Sequence, residues 1–368
     1  MLFIATCKMG VESLTAHELR ALGIEVVAVH DARVIFKGGF DSMARACLWL
    51  RTAERVLMEV GSFTAATFDE LFNGVRAVNW KDYLAKDTFI HVNGKSAKST
   101  LFSVSDCQSI TKKAIVENLK SAYRTQTIPE TGKRVIVEVG LLKDRVTLAL
   151  DCCGAGLSRR GYRTFNVDAP ISETLGASIV ILSGYKPDIP LYDPMCGSGT
   201  MPIEAAMIAT NRAPGLNRDF AAEEWQFLDR GYFERARSEA KEAVTGTPFK
   251  VFGGDIDARC IDICKRHAKK AGVMLDWAAV PIRDFAPSTD GIIVCNPPYG
   301  ERLLNKHDIK KLYIEMRDKF NEYPGCSKHI VTSNLDFERI YGRRADRRRN
   351  LSNGGIKCTL YSYYRSFS

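Results

Sequence analysis

Hydrophobic and polar positions follow two different rhythms along the 368-residue chain. In the first 155 residues, short runs with period two are mixed with helical stretches. Leu2–Thr6 reads as a strand. Val11–Leu22 reads as a helix, apolar at Leu14, Leu19 and Leu22 and stopped by Gly23. Val26–Val29 and Arg33–Phe36 suggest a hairpin around His30-Asp31, followed by a helix over Phe40–Leu50 and a strand over Val56–Val60. This alternation predicts a compact split β-α-β, ferredoxin-like unit over residues 1–60. Residues 61–156 repeat the mixture: helix Phe68–Val78, short strand Phe89–Val92, polar loop Lys95–Ser99, amphipathic helix Ser105–Tyr123 with Ser105 as N-cap, and strands Val135–Val139 and Val146–Leu150 joined at Lys143-Asp144.

Beyond a basic linker, Leu157–Arg163, the rhythm changes. A helix over Glu173–Ser183 opens a region in which strands alternate with helices. The strand candidates are Ile189–Tyr192, Lys250–Gly253, Asp276–Val280, Gly291–Cys295, His329–Thr332 and Lys357–Tyr364. Such alternation marks an α/β domain with a doubly wound parallel sheet, placed at residues 165–368, its last strand pairing antiparallel. Residues 211–248 read as an insertion, carrying Trp225, Phe227, Tyr232, Phe233 and a charged helix over Glu234–Val244.

Candidate chemistry gathers at the strand ends of this sheet, outside which ligands of open α/β sheets bind. In the stretch Leu191–Ile208 an apolar strand ends in Asp193-Pro194, a turn follows at Cys196-Gly197-Ser198-Gly199-Thr200, and Pro202 opens a helix. The glycines admit a ligand close to the backbone, and the helix start offers free N–H groups. No lysine follows the glycines as a P-loop requires, and Pro202 stands where a dinucleotide site has its third glycine. An acidic residue before the turn repels phosphate and suits a cationic ligand, which favours S-adenosylmethionine (SAM). At the next strand end, Asp255 is placed to accept both ribose hydroxyls, with Ile256 beside it; Asp257 reads better as a helix N-cap. Asp284 could accept from the adenine amino group with Phe285 against the ring. The strongest signal is Cys295-Asn296-Pro297-Pro298-Tyr299-Gly300. Its prolines stiffen the loop and remove donors, leaving carbonyls and the Asn296 amide as acceptors for an exocyclic amino group. Tyr299 offers a face for a base.

Charge adds one inference: a net +9 is consistent with nucleic acid as partner. The first ten residues lack the profile of a signal peptide, no apolar run reaches membrane-spanning length, and eleven scattered cysteines suggest reduced thiols, so a cytoplasmic location is expected. Cys260-x-x-x-Cys264 has no second pair at zinc-finger spacing.

The motifs Asp193-Pro-x-Cys-Gly-Ser-Gly-Thr200, Gly254-Asp-Ile-Asp257 and Asn296-Pro-Pro-Tyr299 resemble those of class I SAM-dependent amino-methyltransferases. Lys95-x-x-Lys98-Ser with Gln108-x-Ile-x-Lys-Lys-Ala-Ile115 is similar to a THUMP domain, an RNA-binding module; Arg160-Gly-Tyr-Arg163 and Ala169-Pro-Ile-Ser-Glu173 are similar to the joint between the two. Over its whole length the chain resembles single-function bacterial 23S rRNA guanine-N2 methyltransferases of the RlmL-like kind, with a mild departure at Ile171-Ser172. The resemblance implies a ferredoxin-like domain, THUMP, and a seven-stranded Rossmann-like sheet. It implies SAM held by Glu173, Asp193, Pro194, Cys196 to Thr200, Asp255, Ile256, Asp284, Phe285 and Asn296, and a flipped guanine held by Asn296, Pro297, Pro298 and Tyr299. No metal is needed. Lys95, Lys98, Lys112, Arg160, Arg347 and Arg348 are the expected RNA contacts, the arginines 343–349 being a candidate loop near the site mouth. Transfer RNA as substrate, adenine-N6 or glutamine methylation, and a non-catalytic RNA-binding assembly factor are the competing readings. A monomer and a homodimer are both compatible with the sequence.

Overall fold

A computed structural model describes residues 1–164, 171–298 and 306–365. The N-terminal half runs β1 (Leu2–Cys7), α1 (Glu12–Ala21), β2 (Glu25–His30), β3 (Arg33–Lys37), α2 (Phe40–Trp49), β4 (Ala53–Thr64), α3 (Phe68–Arg76), β5 (Phe89–Ala97), α4 (Val104–Tyr123), β6 (Arg134–Leu142) and β7 (Arg145–Asp151). Local chemistry sets several boundaries. Thr67 and Glu70 close a capping box on α3. Lys143 and Asp144 both take positive φ, the conformation a two-residue hairpin needs between β6 and β7. The cap of α4 is Ser103; Ser105 lies inside the helix, and Lys95 stands on β5 because that strand continues to Ala97.

The seven strands form one sheet in the order β2-β3-β1-β4-β7-β6-β5. The long β4 pairs with β1 through Ala53–Met58 and with β7 through Leu57–Thr64. The expected border at residue 60 therefore falls inside a strand, and the ferredoxin-like and THUMP units share a continuous sheet and core. Sixty residues bury little surface on their own; fusing two sheets edge to edge removes two exposed strand edges and enlarges the core.

The C-terminal half runs α5 (Glu173–Leu182), β8 (Leu191–Asp193), α6 (Thr200–Ala209), α7 (Gly231–Glu242), β9 (Val251–Asp255), α8 (Ala258–Ala271), β10 (Asp276–Ala279), β11 (Ile292–Cys295), α9 (Lys306–Asn321), β12 (Ser327–Thr332), α10 (Phe337–Tyr341), β13 (Arg347–Asn353) and β14 (Ile356–Tyr363). Its sheet has the order β10-β9-β8-β11-β12-β14-β13, parallel up to β12 and antiparallel through β14 and β13. Strand β13 had no sequence signal, since Arg-Arg-Arg-Asn-Leu-Ser-Asn lacks apolar alternation; it is an edge strand, where charge blunts pairing with other chains.

The insertion 211–248 lies between methyltransferase strands in sequence and joins the other half in space. Phe220, Trp225 and Phe233 are buried in the N-terminal core, and Trp225 stacks on Phe227 at 5.2 Å. Phe227 in turn meets Tyr83 edge-on at 5.6 Å and Phe40 at 6.2 Å. Helix α7 packs on α2. No helix among the described residues is long and apolar enough to cross a membrane.

Candidate active site

The parallel pairing brings the candidate residues to one edge of the second sheet. Asp193 of β8 is level with Gly253 of β9, so Asp255 stands two residues beyond it. Ile293 of β11 is level with Tyr192, so Asn296 also stands two residues beyond the level of Asp193. Between them runs the glycine turn, with Gly197 at φ 54° and Gly199 at φ 81°. A Cβ at Gly199 would lie 2.8 Å from the Trp277 ring and 3.0 Å from Cys264 Sγ, so only glycine fits. Gly197 faces open space. Helix α6 opens at Thr200, not at Pro202, which is its third residue; its missing N–H is still one of the four that have no acceptor in a helix.

Asp193 is fully buried. Its Oδ1 accepts the Met195 amide at 3.2 Å, and its Oδ2 has no partner among the described residues. Burial drives its carboxyl pKa well up, and the nearby Asp255 carboxylate adds to the shift. A buried carboxylate with an oxygen unpartnered among the described residues is the counter-group a cationic ligand needs. Asp255 clamps the turn: Oδ2 accepts the Gly197 amide at 2.9 Å and Oδ1 the Asp257 amide at 3.0 Å. Burial raises its pKa too, with those amides acting against the shift. Each carboxylate oxygen can accept a second bond, which leaves capacity for hydroxyls. Ile256 is 75 % exposed next to it, and Asp257 caps α8 through the Arg259 amide. Asn296 Oδ1 is buried without a partner among the described residues, and Pro297 next to it is buried. Tyr299 lies outside the described residues.

Two placements correct expectations from the sequence. Phe285 cannot lie against a ligand ring: it is 2 % exposed and wedged edge-on among Tyr192, Phe320 and Tyr323. Asp284 beside it is exposed. Arg160 is not an RNA contact, because it is 2 % exposed at the joint of the two halves. There it donates to Arg51 O at 2.6 Å and Leu157 O at 2.7 Å and pairs with buried Glu204 at 3.3 Å. A basic segment signals charge, not which side of it faces water.

The other basic candidates separate as well. Lys95 and Lys98 are exposed, whereas Lys112 is bound to Glu130 at 2.8 Å. Arg347 is exposed, and Arg348 pairs with Glu338 at 2.5 Å. Both arginines stand on the edge strand β13, three strands from β11 in the sheet, and Arg347 is level, through Ser362 and His329, with Val294. The part of the hairpin that reaches the site end is its tip, where Asn353 Oδ1 accepts the Ser172 amide at 3.3 Å.

Glu173 is buried at the start of α5 and pairs with Arg163 at 3.4 Å. Arg163 also donates to Thr200 Oγ1 at 2.6 Å and Ile171 O at 2.8 Å, which ties the linker to the first turn of α6. Arg163, His267 and Trp277 had no assigned role from the sequence. His267 fastens the backbone of the turn, with Nδ1 3.1 Å from Ser198 O and Nε2 accepting the Thr164 amide at 3.3 Å. That pattern requires a neutral ring, and burial lowers its pKa accordingly. Its only sequence signal was its place on the buried stripe of α8, with Ile261, Cys264 and Ala268. Cys264 Sγ lies 3.1 Å from Gly197 O and 3.8 Å from Cys196 Sγ, both thiols being free.

Strand order, glycine turn and aligned carboxylates together define a class I SAM-dependent methyltransferase, and the unpartnered oxygen of Asp193 fits the cationic cofactor. Comparison with known proteins gives the same class. The RMKL-like methyltransferase domain model matches residues 160–362, the RlmL ferredoxin-like domain residues 2–57 and the THUMP domain residues 65–151. A Bacillus subtilis protein named "Putative RNA methyltransferase YpsC" is 45% identical over 98% of this chain and 95% of its own. The "Ribosomal RNA large subunit methyltransferase K/L" of Photobacterium profundum is 33% identical over 98% of this chain, which spans 52% of that protein. Among solved structures, "SMU.472, a putative methyltransferase complexed with SAH" is 40% identical with a TM-score of 0.92, covering 100% of this chain and 98% of its own. A Listeria monocytogenes protein described as "a predicted N6-adenine-specific DNA methylase" is 43% identical with a TM-score of 0.93, covering 99% of this chain and 96% of its own. The chain belongs to the RlmKL family of SAM-dependent RNA methyltransferases.

Proposed function

We propose that the protein methylates the exocyclic N2 of a guanine in 23S rRNA. The observation that carries this reading is Asn296 Oδ1, buried without a partner among the described residues on a proline-stiffened loop level with Asp255. An amino group is the complement of such an acceptor. SAM, when bound, supplies a methyl group activated by a sulfonium. Asp193 Oδ2 balances the cofactor's positive charge, the Gly197–Gly199 turn lets it approach the backbone, and Asp255 and Ile256 receive its ribose and adenine. Asn296 Oδ1 and the Pro297 carbonyl accept the two N2 hydrogens of a guanine taken out of its stack. This turns the nitrogen lone pair out of conjugation with the ring and toward the methyl group. N2 attacks the methyl carbon as its bond to the sulfonium sulfur breaks and the neutral thioether leaves, and the methylated amine then releases one proton to water; with no strong base needed before attack, orientation supplies most of the rate. The name of the K/L relatives supports large-subunit ribosomal RNA as the substrate.

The test is transfer of labelled methyl from SAM to ribosomal RNA, followed by mass spectrometry of the nucleosides. N2-methylguanosine is expected, and Asn296→Ala should lower kcat by about 100-fold while SAM affinity changes little. Methyl groups found on adenine N6, or on protein, would sink the proposal. So would parallel loss of SAM binding and turnover in the variant.

A further inference from the structure

We propose that Phe102 is a stacking platform for an unpaired nucleobase of the RNA substrate, with Lys98 and Lys143 taking the adjoining phosphates. The inference rests on the chain being an RNA methyltransferase and adds a site on its first half. Phe102 precedes α4 and is 84 % exposed, by far the most exposed aromatic ring among the described residues. The segment that carries it is pinned. Leu101 is buried, and its carbonyl accepts Ser96 Oγ at 2.6 Å. The Thr100 amide and hydroxyl donate to the Asp144 carboxylate at 2.6 and 3.2 Å, and the Asp144 amide donates to Ser99 Oγ at 3.1 Å. The Lys143 amide donates to Ala97 O at 3.3 Å, which ties the β6–β7 turn to the end of β5. The ring is thus held out in water by a fixed frame.

Lys98 and Lys143 lie in the two joined turns, both exposed, whereas Asp144 between them is occupied by Thr100. Contrast Phe89, which is 39 % exposed with the Lys112 ammonium 5.7 Å from its centroid. A flat apolar face on the same frame as two exposed cations matches one unpaired nucleotide: base on ring, phosphates on ammonium groups. Stacking of this kind needs an accessible base and is denied to a duplex interior.

The test uses the full chain and two fluorescein-labelled RNAs, a single strand and a hairpin duplex, followed by anisotropy at fixed salt. Phe102→Ala should weaken single-strand binding roughly 5- to 150-fold, leave duplex binding unchanged, and regain affinity as Phe102→Tyr. A Phe102→Trp variant should show fluorescence quenching by the single strand. Lys98→Ala should lower the salt slope by about 0.7. Equal binding of both RNAs by wild type and Phe102→Ala, or equal loss of both, overturns the proposal. Methyl transfer by the wild-type protein to ribosomal RNA separately checks the activity on which it rests.

Discussion

Replacing Asp193 with asparagine keeps the shape of a fully buried side chain and removes its charge. The Met195 amide keeps its acceptor at Oδ1, so the turn should hold. What is lost is the anionic Oδ2, which has no partner among the described residues. A charge-assisted hydrogen bond contributes about 1.5–3 kcal/mol, so the dissociation constant for SAM should rise roughly 10- to 150-fold. Stability should move the other way. Burial raises this carboxyl's pKa, so the folded state holds the proton more tightly than the unfolded chain. Stability of the free protein therefore falls as pH rises from the ordinary carboxyl value through the raised one. Asp193→Asn removes that loss, and near neutral pH the free variant should melt no lower than wild type. The cationic cofactor favours the ionised form, so wild-type affinity should increase with pH while the variant responds less, retaining only the Asp255 contribution. Titration calorimetry in buffers of different ionisation enthalpy reads the affinity and the proton release together. Unchanged SAM affinity in a well-folded variant would refute the reasoning.

Other consequences are as direct. Arg160→Met removes the ion-pair partner of the buried Glu204 carboxylate, to which the Tyr162 hydroxyl still donates at 3.2 Å, and should cost about 3–5 kcal/mol in denaturant unfolding, while RNA affinity of the folded fraction stays unchanged; a selective loss of RNA affinity would return Arg160 to the RNA surface. His329 is buried, and burial lowers its pKa to about 4. Stability should be full above the ordinary histidine range near 6.5 and fall as pH drops toward 4, by on the order of 3 kcal/mol; His329→Gln should flatten that profile in unfolding titrations at several pH values. Phe233→Ala, in the insertion, empties a position in the N-terminal core and should cost about 3–5 kcal/mol, with hydrogen exchange rising first in α2 and β4 rather than in the methyltransferase sheet.

The candidate site's residue types are legible in the sequence because the proposed chemistry is local. Asp193, Asp255 and Asn296 each stand at the end of a short apolar strand, and parallel register then brings Asp255 and Asn296 level, two residues beyond Asp193. The change from mixed α+β to strand-helix alternation was legible for the same reason, since burial on one face or two imposes its period on neighbouring residues. Properties set by distant partners were not. Arg160 and Arg348 look alike in sequence, and only the position of Glu204 or Glu338 across the fold says which is buried. Phe285 looks like a ligand face until Phe320 and Tyr323 close over it. Strand β13 exists because β14 offers it a ladder, not because its own residues alternate. The aromatic insertion likewise found its core in the other half of the molecule. Short-range patterns are read from side chains a few residues apart; ion pairs, edge strands and shared cores depend on residues tens to hundreds of positions away. The sequence alone thus determined which groups could hold a methyl donor and an amino acceptor. Tertiary structure decided which charges face water, where one sheet ends, and that the two halves are a single packed unit.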